Sequence, residues 1–200
     1  MLNLLKRLPM DFGQSQLKHR TEGKRIALRH IPQASPGMRA LDVGCRNGYF
    51  SEILTRRGYT VHAIDIKPDY PSAEIVDANQ PLPYGDGTFD LVWCSEVLEH
   101  LDAPAAAVAE FRRVLKPGGL LVLTTPNSGC WIYRALALAG IPTAKAQNPD
   151  HKHFFTVEDM RRLFPRARLL GFFPYVAYKR TITRGLGLLT PTFVVIETRQ

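Results

Sequence analysis

Apolar residues along this chain come in short runs separated by glycine, proline and polar breaks. Residues 40–43 are such a run with one acid, Asp42, near the end, and fit a buried central strand of a parallel sheet. Residues 49–54 have helical spacing of their apolar positions, and Arg57-Gly58 gives a stop. Residues 59–65, 74–78, 89–94 and 120–125 read as further strands. Between the last two, Pro104 opens a helix over 105–115 that Lys116-Pro-Gly-Gly119 ends. Residues 168–173 and 192–197 complete seven predicted strands. The same pattern gives a helix over 21–30, an apolar helical stretch over 130–139, and a helix over 157–163 opened by a capping box from Thr156 to Asp159. At the N-terminus, Leu2, Leu4, Leu5 and Leu8 with Lys6 and Arg7 outline a short amphipathic helix that Pro9 stops. It reads as a frayed end, a lid or a membrane contact.

The strand-to-helix turn between 43 and 49 carries the chemistry. Gly44 and Gly48 bracket it, so the backbone can close on a ligand beside the free N–H groups of a helix N-terminus. The spacing differs from the dinucleotide fingerprint G-x-G-x-x-G: Arg46 stands where a middle glycine belongs, and Asp42 lies two residues before the first glycine. That acid suits a ligand with a cationic or hydroxyl-bearing group. Asp65 follows Gly48 by 17 positions, near the spacing at which a βαβ unit sets an acid on ribose hydroxyls; an N-cap or turn role is the plainer alternative.

The block around Asp42, Gly44, Cys45 and Gly48 resembles motif I of the class I S-adenosyl-L-methionine (SAM)-dependent methyltransferases, D-x-G-C-G-x-G, with Arg46 as the departure. A second block resembles the type-11 methyltransferase group, which includes quinone-biosynthesis and other small-molecule enzymes. It runs from Asp77-Ala78 through Leu82-Pro83 and Phe89-Asp90 to Leu98-Glu99-His100. Residues 113–127 are a third. Together they span residues 39–127. The resemblance implies a Rossmann-like, doubly wound α/β fold, its seven-stranded sheet mostly parallel with an antiparallel C-terminal strand pair. It implies SAM as cofactor, with Asp65 on the ribose, Ile66 on the adenine, Asp77 at the adenine amine beside Ala78, and Cys94 and Ser95 on the methionine side.

Two hundred residues suffice for one such domain, here 39–200, preceded by a helical or lid segment 1–38 and carrying an acceptor-side insertion at about 128–155. With 45% hydrophobic and 22% charged residues the chain reads as soluble and globular. It has no uncharged apolar run long enough to span a bilayer. A start without signal-peptide layout and three cysteines without framework spacing predict a cytoplasmic setting. The net charge of +8 is uneven: residues 1–40 hold eight basic and two acidic side chains, 41–150 nine and thirteen, 151–200 nine and three. The basic ends are either a solvated surface or face an anionic substrate, a membrane or RNA.

Methyl transfer from a sulfonium mainly requires positioning, and a base helps only where the acceptor is a hydroxyl. His100, His151 and His153 are the candidate bases, each also readable as a packing or surface histidine. No metal site is expected, since His151 and His153 lack a spaced acidic or cysteine partner. Cys45 and Cys94 read as small packing residues. Tyr49, Tyr84 and Trp93 are candidates for stacking or cation–π contact, with core packing the commoner role. The leading function is methylation of a small-molecule or lipid-precursor acceptor, with peripheral membrane contact as an associated partner reading. Tyr175, Tyr178, Lys179, Arg180 and Arg184 outline the alternative of an RNA substrate. Arg46 is what supports a third, a methyltransferase-like domain that binds without turnover.

Overall fold

The computed structural model describes residues 20–175 and 179–200; the amphipathic stretch of residues 2–9 and Tyr178 lie outside them. The helix α1 (Glu22–Arg29) leads into β1 (Arg39–Val43), α2 (Tyr49–Arg56), β2 (Thr60–Asp65), β3 (Glu74–Ile75) and β4 (Phe89–Ser95). Then come α3 (Pro104–Val114), β5 (Leu115–Pro126), α4 (Trp131–Leu138), α5 (Thr143–Ala146), α6 (Val157–Leu163), β6 (Arg168–Phe173), β7 (Arg180–Ile182), α7 (Leu186–Leu189) and β8 (Thr192–Thr198).

The strands form one sheet in the order β3-β2-β1-β4-β5-β8-β6-β7. The first five run parallel, while β8 lies antiparallel between β5 and β6. This is the doubly wound arrangement with an antiparallel C-terminal group that the pattern and the resemblance imply. It has eight strands rather than seven: β6 also pairs with the three-residue β7, too short to display an alternation in sequence. The third strand is shorter than expected, because after Ile75 the chain turns on Asp77, whose carbonyl accepts from Gln80 N–H at 3.0 Å. The fifth starts earlier, at Leu115, and takes in Lys116-Pro-Gly-Gly119 at an irregularity in its pairing with β4.

Burial on both faces explains the unbroken apolar runs. Leu41, Val43, Val92 and Cys94 point to one side, where Phe111 of α3 and Met160 of α6 cover them; Ala40, Leu91 and Trp93 alternate to the other, under Ile26 of α1 and Phe50 and Leu54 of α2. The capping box of α6 is formed as the sequence indicates, Thr156 accepting from the Asp159 N–H and the Asp159 carboxylate accepting from the Thr156 N–H. From β1 the chain winds outward to β3, then returns to lay β4 on the other side of β1. The crevice at the carboxyl ends of β1 and β4 is therefore the topological switch point, where open α/β sheets take ligands.

Candidate active site

At the β1 end of that crevice, Gly44 N–H and Cys45 N–H both donate to the Ile64 carbonyl of the neighbouring strand, at 2.8 and 3.1 Å. The turn this requires puts Gly44 and Gly48 at φ +74°, where glycine is favoured. A methyl group at Gly44 would come within 2.2 Å of Val97 Cγ2, and one at Gly48 within 2.3 Å of the Tyr70 ring. Both glycines thus let neighbouring loops close down on the turn. Arg46 holds φ +47° without being glycine. Its N–H donates to Asp65 Oδ2 at 2.9 Å, and Asp65 Oδ1 accepts from Lys67 N–H at 2.9 Å, so the acid of β2 is locked against the turn.

A cavity of ≈ 510 Å³ opens there, lined by Gly44, Asp65, Ile66, Asp77, Ala78 and Val97 among others. Ile66 is 66% exposed beside Asp65, an apolar platform at the mouth. Asp77 Oδ1 accepts from the backbone and side-chain amides of Asn79, each at 2.9 Å, and its second oxygen has no partner among the described residues. A second cavity, ≈ 400 Å³, continues past Gly44 over Cys45, Asn47, Phe50, Trp93 and Ser95. Lys24 of α1 also lines it.

Three of the candidates for cofactor binding stand back from both cavities. Asp42 is buried and accepts from Ser51 Oγ at 2.6 Å, tying β1 to α2; burial above all pushes its carboxyl up to about 7. Cys94 is buried in the core, its thiol pushed far above the ordinary range by burial. Gly48 acts through the turn. Cys45 does line the second cavity, with burial pushing its thiol to about 12, so neither cysteine offers a thiolate at neutral pH.

The three histidines part company. His100, on the short turn after β4, lines the first cavity with Asp150 and Lys152, and its Nδ1 lies 3.0 Å from the Asp150 carbonyl. A carbonyl only accepts, so Nδ1 carries a proton, and it is Nε2 that bears the lone pair in the neutral ring. His151 is buried beneath it, ring centroids 4.8 Å apart, with Nδ1 3.3 Å from Gln147 Oε1 and Nε2 3.9 Å from Glu99 Oε1. Burial first, then His100, lowers the His151 pKa to about 4; burial and then Glu96 raise that of Glu99 well above the carboxylate range. The pair therefore meets as two neutral groups and not as an ion pair. Glu99 Oε2 accepts from Thr125 Oγ1 at 3.0 Å, while Oε1 is buried without a hydrogen bond. Glu99, His100 and His151 each offer a ligand atom within 4.8 Å of the others, a grouping that could hold a metal ion and that the pairing of His151 with His153 does not foresee. His153 instead stacks on Phe155 in a separate groove, ≈ 370 Å³, with Pro104 and Arg162.

Sequence reading passes over Lys24 and Glu96. The signal for Glu96 is its place directly after the last residue of β4; Lys24 shows no signal, because the pairing of α1 with the cavity is a matter of tertiary packing.

Residues 14–169 match the methyltransferase domain family. A ubiquinone biosynthesis O-methyltransferase of Xanthomonas campestris pv. campestris (strain B100) is 37% identical over 141 residues, 61% of this chain and 56% of the relative. The protein of the same description from Xylella fastidiosa (strain 9a5c) is 39% identical over 123 residues, 51% and 48% of the two chains. The chain thus spans about half the length of the curated relatives it matches. A SAM-dependent methyltransferase of Archaeoglobus fulgidus superposes with a TM-score of 0.65 over 92% of this chain and 97% of that one at 19% identity, and one from Mesorhizobium loti with 0.62 over 88% and 97% at 17%. At these identities the two structures speak for the fold.

Proposed function

This chain belongs to the methyltransferase domain family, and from that premise we propose that it transfers the methyl group of SAM to a hydroxyl of a small-molecule or lipid-precursor acceptor. The observation that carries the reading is the meeting of Asp65, Asp77 and the exposed Ile66 around one cavity beside the Gly44 turn. Their chemistry fits an adenosine. Each Asp65 oxygen accepts one backbone N–H and keeps a second lone pair, enough for a ribose diol. Ile66 offers an apolar face for a base, and the second oxygen of Asp77 an acceptor for an exocyclic amine. Cys45, Ser95 and Phe50 in the adjoining cavity suit the amino-acid arm, and Lys24 supplies a cation for its carboxylate.

When bound, SAM supplies the activated methyl group; the residues of this chain bind, orient and manage the proton. His100 is the histidine on the cavity wall with its tautomer set, so its Nε2 takes the acceptor's hydroxyl proton. His151, held neutral below it, keeps that ring in place. The relatives' description as O-methyltransferases of ubiquinone biosynthesis supports a hydroxyl acceptor. It also favours the small-molecule reading over RNA. The three cysteines are free and buried, which supports a cytoplasmic, reducing setting. Among the described residues no helix is long and apolar enough to cross a membrane.

Calorimetry of the 200-residue chain with SAM and with NADH tests the cofactor assignment, with SAM binding at micromolar concentration the expected result. Binding of NADH without SAM would overturn it. Labelled-methyl incorporation into extract fractions, with and without ribonuclease, then separates a small acceptor from RNA.

A further inference from the structure

Two residues other than glycine hold a left-handed backbone among the described residues, Arg46 at φ +47° and Glu96 at φ +58°. Such conformations are strained for a residue with a side chain and persist where the surroundings enforce them. Both cavities of the switch-point crevice are lined by three common residues, and these are Gly44, Arg46 and Glu96. Both strained side-chain-bearing residues therefore sit at the junction of the two cavities, on the β1 loop and on the β4 loop.

Arg46 spends its backbone on Asp65, and its side chain is exposed. Glu96 is built differently. Its N–H donates to the Thr124 carbonyl at 2.9 Å, and its Oε1 accepts from Thr124 Oγ1 at 2.9 Å. Thr124 is fully buried on β5, and its hydroxyl also meets Ser95 Oγ at 2.9 Å. With the Thr124 proton committed to Glu96, Ser95 must be the donor in that contact, so the hydroxyls run Ser95 to Thr124 to Glu96, each bond polarised toward the carboxylate. The next strand residue, Thr125, holds Glu99 in the same way. Thr124 and Thr125 thus fix the two carboxyl groups of this loop separately, Glu96 at the wall shared by the cavities and Glu99 in the interior beneath it.

We infer that Glu96 is a specificity-determining residue: its carboxylate, fixed by Thr124 where the cavities meet, selects the positively charged sulfonium form of the cofactor over the neutral thioether left after transfer. The inference rests on the SAM reading above. With adenosine in the cavity of Asp65 and Asp77 and the amino-acid arm in that of Ser95 and Lys24, the atom joining them crosses at the shared wall. Transfer forms the bond from the methyl carbon to the acceptor oxygen and breaks the carbon–sulfur bond, whose electron pair stays on sulfur; the acceptor's proton leaves with the base. Sulfur then carries no charge, the attraction to Glu96 ends, and the product is released more easily.

The test is equilibrium binding, by calorimetry, of SAM and of S-adenosylhomocysteine to the whole chain and its variants. Glu96→Gln keeps the shape and removes the charge; it is expected to weaken SAM about tenfold, about 1.4 kcal/mol, and to leave the thioether within about twofold. Glu96→Asp should retain most of the native ratio. Thr124→Val, which removes the fixing hydroxyl and spares the charge, should shift the ratio about threefold and serves if Glu96→Gln does not fold. Equal loss on both ligands, or no loss on either, in a folded variant overturns the inference and leaves the SAM reading standing. A native chain that binds neither ligand overturns the SAM reading and this inference with it.

Discussion

The cofactor side of the crevice and its histidine side are held together by different means. Around Asp65 and Asp77 the bonds are local: Asp65 to Lys67 and Asp77 to Asn79 are two residues apart, and Asp65 to Arg46 closes one βαβ unit. Around His100 the bonds reach about fifty residues. The amides of Lys152 and His153 both donate to the Glu99 carbonyl, at 2.9 and 3.0 Å, His100 meets the Asp150 carbonyl, and Lys152 Nζ pairs with Asp102 at 2.7 Å. The first kind of site is written into a motif. The second exists only after the segment 150–153 has docked on the turn after β4.

The sharpest way to test that division is to replace the docked His100. His100→Gln should lower turnover by about 10²–10⁴-fold, the worth of a general base, while SAM affinity holds within about twofold. His153→Ala, in the groove with Phe155, should leave the rate within about twofold. Single-turnover rates with an identified acceptor check both; a rate loss in the His153 variant equal to that in the His100 variant would erase the distinction.

That contrast also shows what the sequence can carry. The parallel core was legible because strands buried on both faces read as unbroken apolar runs, and Gly44, Asp65 and Asp77 because their spacing follows from one strand, one turn and the next strand. His151 and His153 share a short segment and look like a pair, yet backbone direction sends His151 under His100 and His153 onto Phe155. Asp42 reads as a ligand and is buried against Ser51, since nothing in a motif says which way a strand residue faces until the sheet order is known. Lys24 required the packing of α1 to be seen at all.

The two sides also titrate in opposite senses. Asp42 holds its proton up to about 7 in the folded chain against 3.8, so folding stability falls as pH rises through that window. His151 stays neutral down to about 4 against 6.5, so stability falls as pH drops through that window. Between about pH 4 and 6.5 the slopes oppose, each about 1.4 kcal/mol per pH unit. Measured against the native chain, Asp42→Asn should therefore gain stability as pH rises, by about 4 kcal/mol across its window, and His151→Asn should lose it, by about 3 kcal/mol across its own. Urea unfolding at half-unit pH steps reads both; parallel curves for the two variants would mean that neither group titrates as its burial dictates.

A more moderate effect than loss of the base is expected on the local side. Asp65→Ala removes the two acceptors assigned to the ribose, and with them about 1.5–3 kcal/mol of SAM affinity, the worth of hydrogen bonds to a charged group. It also frees the amides of Arg46 and Lys67, so part of the loss is loosening of the Gly44 turn. Asp65→Asn separates the two contributions. An amide oxygen still accepts from one of those amides, so the turn is largely kept, while the charge and one acceptor are lost. If contact with the diol dominates, Asn should recover less than half of the loss; if holding the turn dominates, it should recover most. Calorimetry with SAM and with adenosine alone distinguishes them further, because a diol contact weakens both ligands alike, whereas a loosened turn falls harder on the ligand that also crosses Gly44.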